Sequence, residues 1–258
     1  MTDQTKRLFV GWYDPSDNFW YPIGQICTTE TGYQFEYLCG ALRAQAKAGF
    51  RGIFQFPDFN IAYESDELFA FFRNRLLTSS RDNFDEEITR LGLENLAEGL
   101  LPFDVLSRTN GRRATDTFEV YPAPTVQGDT AQLVFFARGV RYLPDELKRR
   151  WEKDRPRQPF RLQWERDNQY DEHALQIIDS DDRRLGYLLR YYSESFHRLL
   201  EYPCDYELEL VRHNRQPGFV RERFLMQLTS DTFDDWRFPQ SDLYDAISDE
   251  SAGVATVA

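Results

Sequence analysis

The sequence predicts an α+β fold, with an antiparallel sheet and helices first and a smaller β-rich domain after them. Short apolar stretches separated by turn residues fill the first 37 positions, which is typical of antiparallel strands. Helical spacing of apolar residues then dominates residues 64–101, and strand patterns return from residue 117. A chain of 258 residues is long enough for one large or two small domains.

Composition excludes several classes of protein. Hydrophobic residues make up 41% and aromatic residues 16% of the chain, so the chain can bury real cores and is not disordered overall. No apolar run approaches the length of a membrane span, and no basic-then-apolar signal opens the chain. We therefore expect a soluble, cytoplasmic protein that does not bind membranes.

The N-terminal domain is predicted to comprise residues 1–125. Its expected elements are strands over 7–13, 20–28 and 33–37, helices over 38–49, 64–77, 79–92 and 93–101, and a strand over 117–121. Gly49 is expected to end the first of these helices, and Pro102 to break the last. The segment Pro122–Thr125 has the composition of a domain boundary.

The second domain is predicted over residues 131–230. Its expected elements are strands over 133–137, 160–165, 174–178, 184–188, 206–211 and 221–228, with helices over 144–154 and 191–202. Residues 231–258 are interpreted as an acidic tail, in which Trp236 and Phe238 dock on the body or on a partner.

Cysteine and histidine spacing predicts neither a metal site nor a cofactor. Cys27, Cys39 and Cys204 form no Cys-x-x-Cys motif, and the three histidines are scattered among them without metal-ligand spacing. Free, buried cysteines in a reducing compartment are the simplest interpretation.

The charge is unevenly distributed over an acidic chain. The net charge of −12 argues against indiscriminate binding of nucleic acid, but residues 137–166 hold 10 basic and 5 acidic residues, a local charge of +5. This basic strip is interpreted either as a solvated helix face or as a track for phosphates.

The most informative stretch runs from Asn168 to Ile177 and continues, after a polar turn, at Leu185-Gly186-Tyr187-Leu188. It places a Tyr-Asp pair, Tyr170 and Asp171, just before a strand that turns back as a hairpin. The residues alone predict a hairpin with a polar, aromatic rim. Such a rim either binds a ligand or caps a barrel.

Together with the upstream strand end Gly139-Val140-Arg141-Tyr142, this hairpin resembles the HIRAN domain over residues 131–230. The resemblance implies a small OB-like β-barrel with helices that captures the 3′ end of single-stranded DNA. It also implies six nucleic-acid-binding residues, which are Arg141, Tyr142, Tyr170, Asp171, Tyr187 and Arg190.

The resemblance implies a role for each residue. Tyr142 stacks on the terminal base, and Arg141 neutralises the adjoining phosphate. Tyr170 bounds the slot. Asp171 accepts the terminal hydroxyl and rejects a phosphorylated or continuing strand, because a carboxylate beside a phosphate is repelled.

Structural alternatives stay open for the same residues. Tyr187 and Arg190 stand where the family has a His or other polar residue and a Lys, and Tyr187 is equally suited to packing inside a barrel. Arg141 and Asp171 could instead form an ion pair, and Asp171 could cap a turn.

The N-terminal half resembles the N-terminal subdomain of HipA-type kinases, including its stand-alone (HipS-like) form. The resemblance rests on an ordered set of short motifs: Ile23-Gly24, Gly32 to Tyr37, Phe56-Pro57, Leu68 to Leu76, and Pro102 to Leu106. It implies a separate HipA-type kinase as a partner. The chain departs from the kinases themselves, since it has no Gly-rich phosphate loop and no catalytic and metal-binding Asp pair.

Three functions follow from these patterns. The favoured one is a non-enzymatic, antitoxin-like accessory of a HipA-type kinase toxin–antitoxin system that binds single-stranded DNA or DNA 3′ ends. The alternative is a DNA-end-binding module of a repair or phage-defence assembly. An enzyme is least favoured, because the acid pairs Asp181-Asp182 and Asp234-Asp235 lie in a predicted turn and in the tail without a nuclease constellation.

Overall fold

Antiparallel sheets and short helices make up the chain, which confirms the predicted α+β class. The structure is a computed structural model that describes residues 6–76, 82–95, 101–200, 205–231, 241–248 and 254–256. The strands are β1 (Arg7–Asp14), β2 (Phe19–Thr28), β3 (Tyr33–Tyr37), β4 (Ala62–Ser65), β5 (Phe118–Pro122), β6 (Thr125–Gln127), β7 (Thr130–Phe136), β8 (Arg161–Trp164), β9 (Leu175–Ile178), β10 (Arg184–Tyr187), β11 (Tyr206–His213), β12 (Phe224–Asp231) and β13 (Val254–Thr256). The helices are α1 (Cys39–Ala48), α2 (Ala70–Arg73), α3 (Phe84–Leu91), α4 (Leu101–Thr109), α5 (Asp145–Arg150) and α6 (Arg190–Leu200).

The chain divides into two units, which are not consecutive in sequence. Unit 1 comprises residues 1–81, 96–123 and 240–258, and unit 2 comprises residues 82–95 and 124–239. The boundary between the two units after residue 123 lies within the expected boundary segment Pro122–Thr125. The structure departs from the predicted order elsewhere, because residues 82–95 join unit 2 and residues 240–258 return to unit 1.

Unit 1 is built on a six-stranded sheet in the order β13-β4-β3-β2-β1-β5. The predicted meander β1-β2-β3 is present and antiparallel. α1 ends at Gly49, whose φ of 69° is the left-handed conformation that favours glycine. The core is aromatic, with Phe35 stacked on Phe56 at 4.1 Å between ring centroids and Phe72 packed beside them.

One helix prediction in unit 1 is wrong. Within the described residues, the segment predicted as one helix over 64–77 instead finishes strand β4 and then forms only the four-residue α2. Pro102 lies within α4, and the helix predicted over 93–101 falls mostly on residues 96–100, which lie outside the described residues.

The predicted acidic tail is partly ordered against unit 1. Ile247 donates its N–H to the carbonyl of Tyr37 at 3.0 Å, and Cys39 donates to the carbonyl of Asp245 at 2.8 Å. β13 then pairs in parallel with β4 and covers that edge of the sheet. Trp236 and Phe238 lie outside the described residues.

Unit 2 contains two antiparallel sheets. One has the order β11-β12-β7-β6, and the other has the order β10-β9-β8. A bridge between Arg138 and Tyr187 joins the end of β7 to the end of β10. The strands are thus arranged as two sheets meeting at one side, and hydrogen bonding around a closed barrel is not seen among the described residues.

α3 is held in unit 2 although it precedes that unit in sequence. The side-chain amide of Asn214, after β11, donates to the carbonyl of Arg90 in α3 at 3.0 Å. Within the described ranges, no helix is both long and apolar enough to cross a bilayer. Cys27 and Cys39 are free and half-buried, while Cys204 lies outside the described residues.

Candidate nucleic-acid interface

The segment after β7 turns sharply and presents Tyr142. Arg138 and Tyr187 exchange two backbone hydrogen bonds of 2.8 and 2.9 Å. Gly139 follows with a φ of 69°, and a Cβ there would lie only 2.6 Å from Cδ2 of Tyr187. Only glycine therefore allows this turn. The predicted strand end is in fact a 3-10 helix, Val140–Tyr142.

Tyr142 is 68% exposed, which is unusual for an aromatic side chain in a folded domain. The guanidinium carbon of Arg141 lies 4.5 Å from the centroid of the Tyr142 ring, and the guanidinium also hydrogen-bonds the Tyr142 hydroxyl. Arg141 forms no ion pair with Asp171, so that structural alternative is not realised here. A ring and a cation are thus presented together to solvent.

The Tyr170-Asp171 pair lies in a turn shaped by Asn168. Asn168 Oδ1 accepts the backbone N–H groups of Tyr170 at 2.9 Å and Asp171 at 3.0 Å. Asp171 Oδ1 accepts the N–H of His173 at 3.0 Å, which is the turn-capping role considered as an alternative. Asp171 Oδ2 has no partner in the described part of the chain, and Tyr170 is 75% exposed.

Glu165 connects this turn to Tyr187. Its two carboxylate oxygens accept from Asn168 Nδ2 at 2.6 Å, Gln176 Nε2 at 2.6 Å, the Tyr187 hydroxyl at 2.8 Å and the Arg184 guanidinium at 3.2 Å. Partial burial opposes ionisation, but the three neutral donors and the Arg184 charge together hold the pKa of Glu165 below its ordinary value. The carboxylate therefore stays charged, and its hydrogen bonds link the turn at Asn168 to Tyr187.

Glu165 was not singled out from the sequence, and no motif marks it. Its only signal is strand alternation, which places it, one residue beyond β8, on the same side as Gln163. That face continues across the sheet to Gln176 and Tyr187, as the pairing register shows. A carboxylate that accepts hydrogen bonds from several segments can be identified only when the pairing of β8, β9 and β10 is known.

Tyr187 has mainly a packing role in this geometry. Its ring lies against Gly139, and its hydroxyl is shared between Glu165 and Arg184. Burial, together with the hydrogen bond to Glu165, raises the pKa of Tyr187. Arg190 begins α6 and is exposed.

The exposed ring of Phe219 was also not identified from the sequence. Phe219 is 54% exposed, and the guanidinium of Arg221 lies 4.5 Å from its centroid. It immediately precedes the 3-10 helix Val220–Glu222, which packs against the 3-10 helix Val140–Tyr142. The signal available from the sequence was an aromatic residue between the predicted strands over 206–211 and 221–228.

Part of the basic strip over residues 137–166 is paired with acidic side chains. Four of its ten cations pair with Asp side chains: Lys148 with Asp145 at 2.6 Å, Arg150 with Asp154 at 2.9 Å, Arg157 with Asp181 at 3.6 Å and Arg161 with Asp182 at 2.6 Å. Asp145 and Asp154 are already included in the strip's local charge of +5, so the strip keeps a net positive charge. Within the described ranges, no group of three or more His, Cys, Asp or Glu side chains could hold a metal ion.

Comparison with known proteins bears on the same region. Residues 131–229 match the family model of the HIRAN domain. The match implies DNA binding by this part of the chain, and it does not extend to residues 1–130. A crystal structure of a protein from Lactobacillus plantarum shares 20% sequence identity over 40% of this chain and 99% of its own, with a TM-score of 0.31. No curated protein matches the chain.

Proposed function

We propose that the HIRAN-like part of unit 2 binds the 3′ end of single-stranded DNA and that the protein acts by binding rather than by catalysis. The observation that carries this proposal is the exposed pair Arg141 and Tyr142, a cation beside an open ring, within the matched region. Base stacking on an aromatic ring contributes about 1–3 kcal/mol per base. The cation supplies the contact to phosphate that DNA binding requires.

Asp171 suits the terminal hydroxyl because its two oxygens differ. Oδ1 is used by the N–H of His173, which holds the carboxylate in one orientation. Oδ2 has no partner among the described residues and is available to accept a hydroxyl proton. A 3′-phosphate at the same place would be repelled by the carboxylate.

The other residues have the following proposed roles. Tyr170 is an exposed ring that bounds the slot, Phe219 is a further exposed ring, and Arg190 is an exposed cation for a further phosphate. Tyr187 acts as a positioning residue, since both its ring and its hydroxyl are already used within the fold.

The test compares oligonucleotides ending in a 3′-hydroxyl with the same strands ending in a 3′-phosphate. We expect the wild type to prefer the hydroxyl end. Asp171→Asn keeps an oxygen that can accept from His173 but removes the charge, so it should bind both ends alike while the turn stays folded. Equal binding of both ends by the wild type would refute the assignment of Asp171.

One observation in unit 1 favours a second role, the docking of another protein. Phe54 is fully exposed, at 103% of its reference area, on a turn between the buried residues Ile53 and Phe56. The hydroxyl of Tyr37 accepts the N–H of Ile53 at 2.7 Å and donates to the carbonyl of Phe56 at 2.8 Å. A rigid turn that holds an aromatic ring in water is suited to insertion into a partner's apolar pocket.

From the resemblance of its N-terminal motifs, we propose that unit 1 docks on a separate HipA-type kinase, as an antitoxin-like accessory of a toxin–antitoxin system, and that Phe54 contributes to the docking surface. Co-purification of such a co-expressed kinase with the wild type, and its loss with Phe54→Ser, is the expected result. DNA-end binding without capture of the kinase would instead favour a module of a DNA repair or phage-defence assembly.

A further inference from the structure

Trp164 is a half-exposed indole with a fixed orientation. It ends β8, the edge strand of its sheet, and is 39% exposed. Its Nε1–H donates to the carbonyl of Glu172 at 2.8 Å, which locks the ring plane. The guanidinium carbon of Arg166 lies 4.9 Å from the ring centroid. Trp164 thus repeats the arrangement of Arg141 and Tyr142, an aromatic ring with a cation against it.

Trp164 belongs to a different face of the sheet from the Glu165 network. It pairs with Leu175 in the β8–β9 register, whereas Gln163 pairs with Gln176, which in turn pairs with Tyr187. Since neighbouring residues of a strand point to opposite faces, Trp164 points away from Tyr187. The interface already described therefore does not account for its exposure.

The solvent-facing side of α6 links Trp164 to that interface. The Trp164 ring contacts His197 edge to face, with 4.4 Å between centroids, and His197 lies 5.2 Å from His173. His197 and Arg190 are seven residues apart, so they lie on one face of α6, about 10 Å apart along its axis. Glu194 lies between them on that face, so a strand that extends from Arg190 to Trp164 makes no phosphate contact along α6.

We propose that Trp164 is a second nucleotide subsite, where a base upstream of the bound 3′ end stacks on the indole. This inference rests on the proposed function of the same unit. Arg166 contacts one phosphate there. The exposed acidic residues Asp167, Glu172 and Glu194 flank the subsite and disfavour further phosphate contacts. The subsite thus adds affinity mainly by stacking, which every base can provide.

The test measures the affinity of a 3′-hydroxyl dithymidine and of a ten-residue oligothymidine by fluorescence anisotropy. Trp164→Leu removes the aromatic face but keeps an apolar side chain, and Trp164→Phe is the matched control that keeps an aromatic face. We expect Trp164→Leu to weaken the longer strand by about five- to 150-fold and to leave the dinucleotide unchanged. Trp164→Phe should retain most of the affinity.

The salt dependence separates stacking from charge. Trp164→Leu should leave the slope of log affinity against log salt unchanged, because it removes no phosphate contact. Arg166→Ala should reduce the slope by about 0.7, the value for one phosphate contact to a single strand. A slope unchanged in Arg166→Ala would overturn the contact assigned to that residue.

Failure of this inference is distinct from failure of end binding. Unchanged affinity of Trp164→Leu for the longer strand, or an equal loss for both strands, would overturn the subsite. Equal binding of strands ending in a 3′-hydroxyl and in a 3′-phosphate by the wild type would contradict end binding instead. Thermal unfolding of Trp164→Leu and Trp164→Phe, measured in parallel, shows whether either variant has lost its fold.

Discussion

The core of unit 1 and the candidate interface of unit 2 hold aromatic side chains in opposite surroundings. In unit 1 the rings of Phe35, Phe56 and Phe72 pack against one another and are buried. In the candidate interface of unit 2 the rings of Tyr142 and Tyr170 are largely exposed to solvent. The aromatic-rich composition therefore has two physical causes, packed cores and open surfaces.

Two tyrosines show the difference most clearly. The Tyr37 hydroxyl is satisfied by Ile53 and Phe56 inside unit 1, and burial raises the pKa of this tyrosine well above its ordinary value. The Tyr142 ring is open to water, and among the described residues its hydroxyl hydrogen-bonds only the neighbouring Arg141. Loss of a buried ring should reduce stability, whereas loss of an exposed one should reduce binding.

The largest expected effect concerns the core of unit 1. Phe56→Ala should lower the free energy of unfolding by about 3–5 kcal/mol, because it leaves a cavity between Phe35 and Phe72. Hydrogen exchange should show the loss in unit 1, while DNA binding by unit 2 persists wherever the variant is folded. A matching loss of DNA affinity in the folded variant would show that the two roles are not separable.

A smaller effect, on binding alone, is expected in unit 2. Tyr142→Ala should weaken single-stranded DNA binding by about 1–3 kcal/mol and change the unfolding free energy by less than about 0.5 kcal/mol. Tyr142→Phe keeps the ring and should bind almost as the wild type does. The measurement is an anisotropy titration beside a denaturant melt, and strong destabilisation by Tyr142→Ala would contradict the exposed placement.

The smallest expected effect is a difference in acid sensitivity. Burial, aided by the charge of Arg223, lowers the pKa of His213 from 6.5 to about 4. The unfolded chain then binds a proton more readily than the folded one, so stability is full above pH 6.5 and falls as the pH drops toward 4. The loss between pH 7 and pH 5 is on the order of 1–2 kcal/mol.

This acid sensitivity should be confined to unit 2, because all three histidines of the chain lie there. His213→Phe keeps a ring against Phe224 and should flatten the dependence on pH. Denaturant melts at pH 7 and pH 5, with hydrogen exchange to assign the unit, check this. An unchanged pH dependence in His213→Phe would show that other groups cause it.

Sequence patterns correctly predicted the elements that depend mainly on neighbouring residues in the chain. The meander β1-β2-β3 follows from turn residues and alternation, and Gly49 marks the end of α1 because the left-handed conformation favours glycine. The predicted helix over 64–77 was wrong at its start because Glu64 and Ser65 pair with β3, and pairing with a distant strand overrides helical spacing.

The candidate site rests on motifs read from the sequence. Arg141, Tyr142 and Asp171 were assigned from those motifs, and their contact with DNA stays a prediction. Phe219 and Glu165 were missed because each becomes relevant only through neighbours that are remote in sequence. Tyr187 was assigned to the ligand, but its hydroxyl is used by Glu165 within the fold.

The sequence by itself determined the α+β class and the HIRAN-like motif pair, since each depends on residues close together in the chain. Only the tertiary structure decided which rings are buried, which cations are neutralised and where the C-terminal segment lies. Burial and ion pairing depend on which distant segments meet, and no local pattern of residues carries that information.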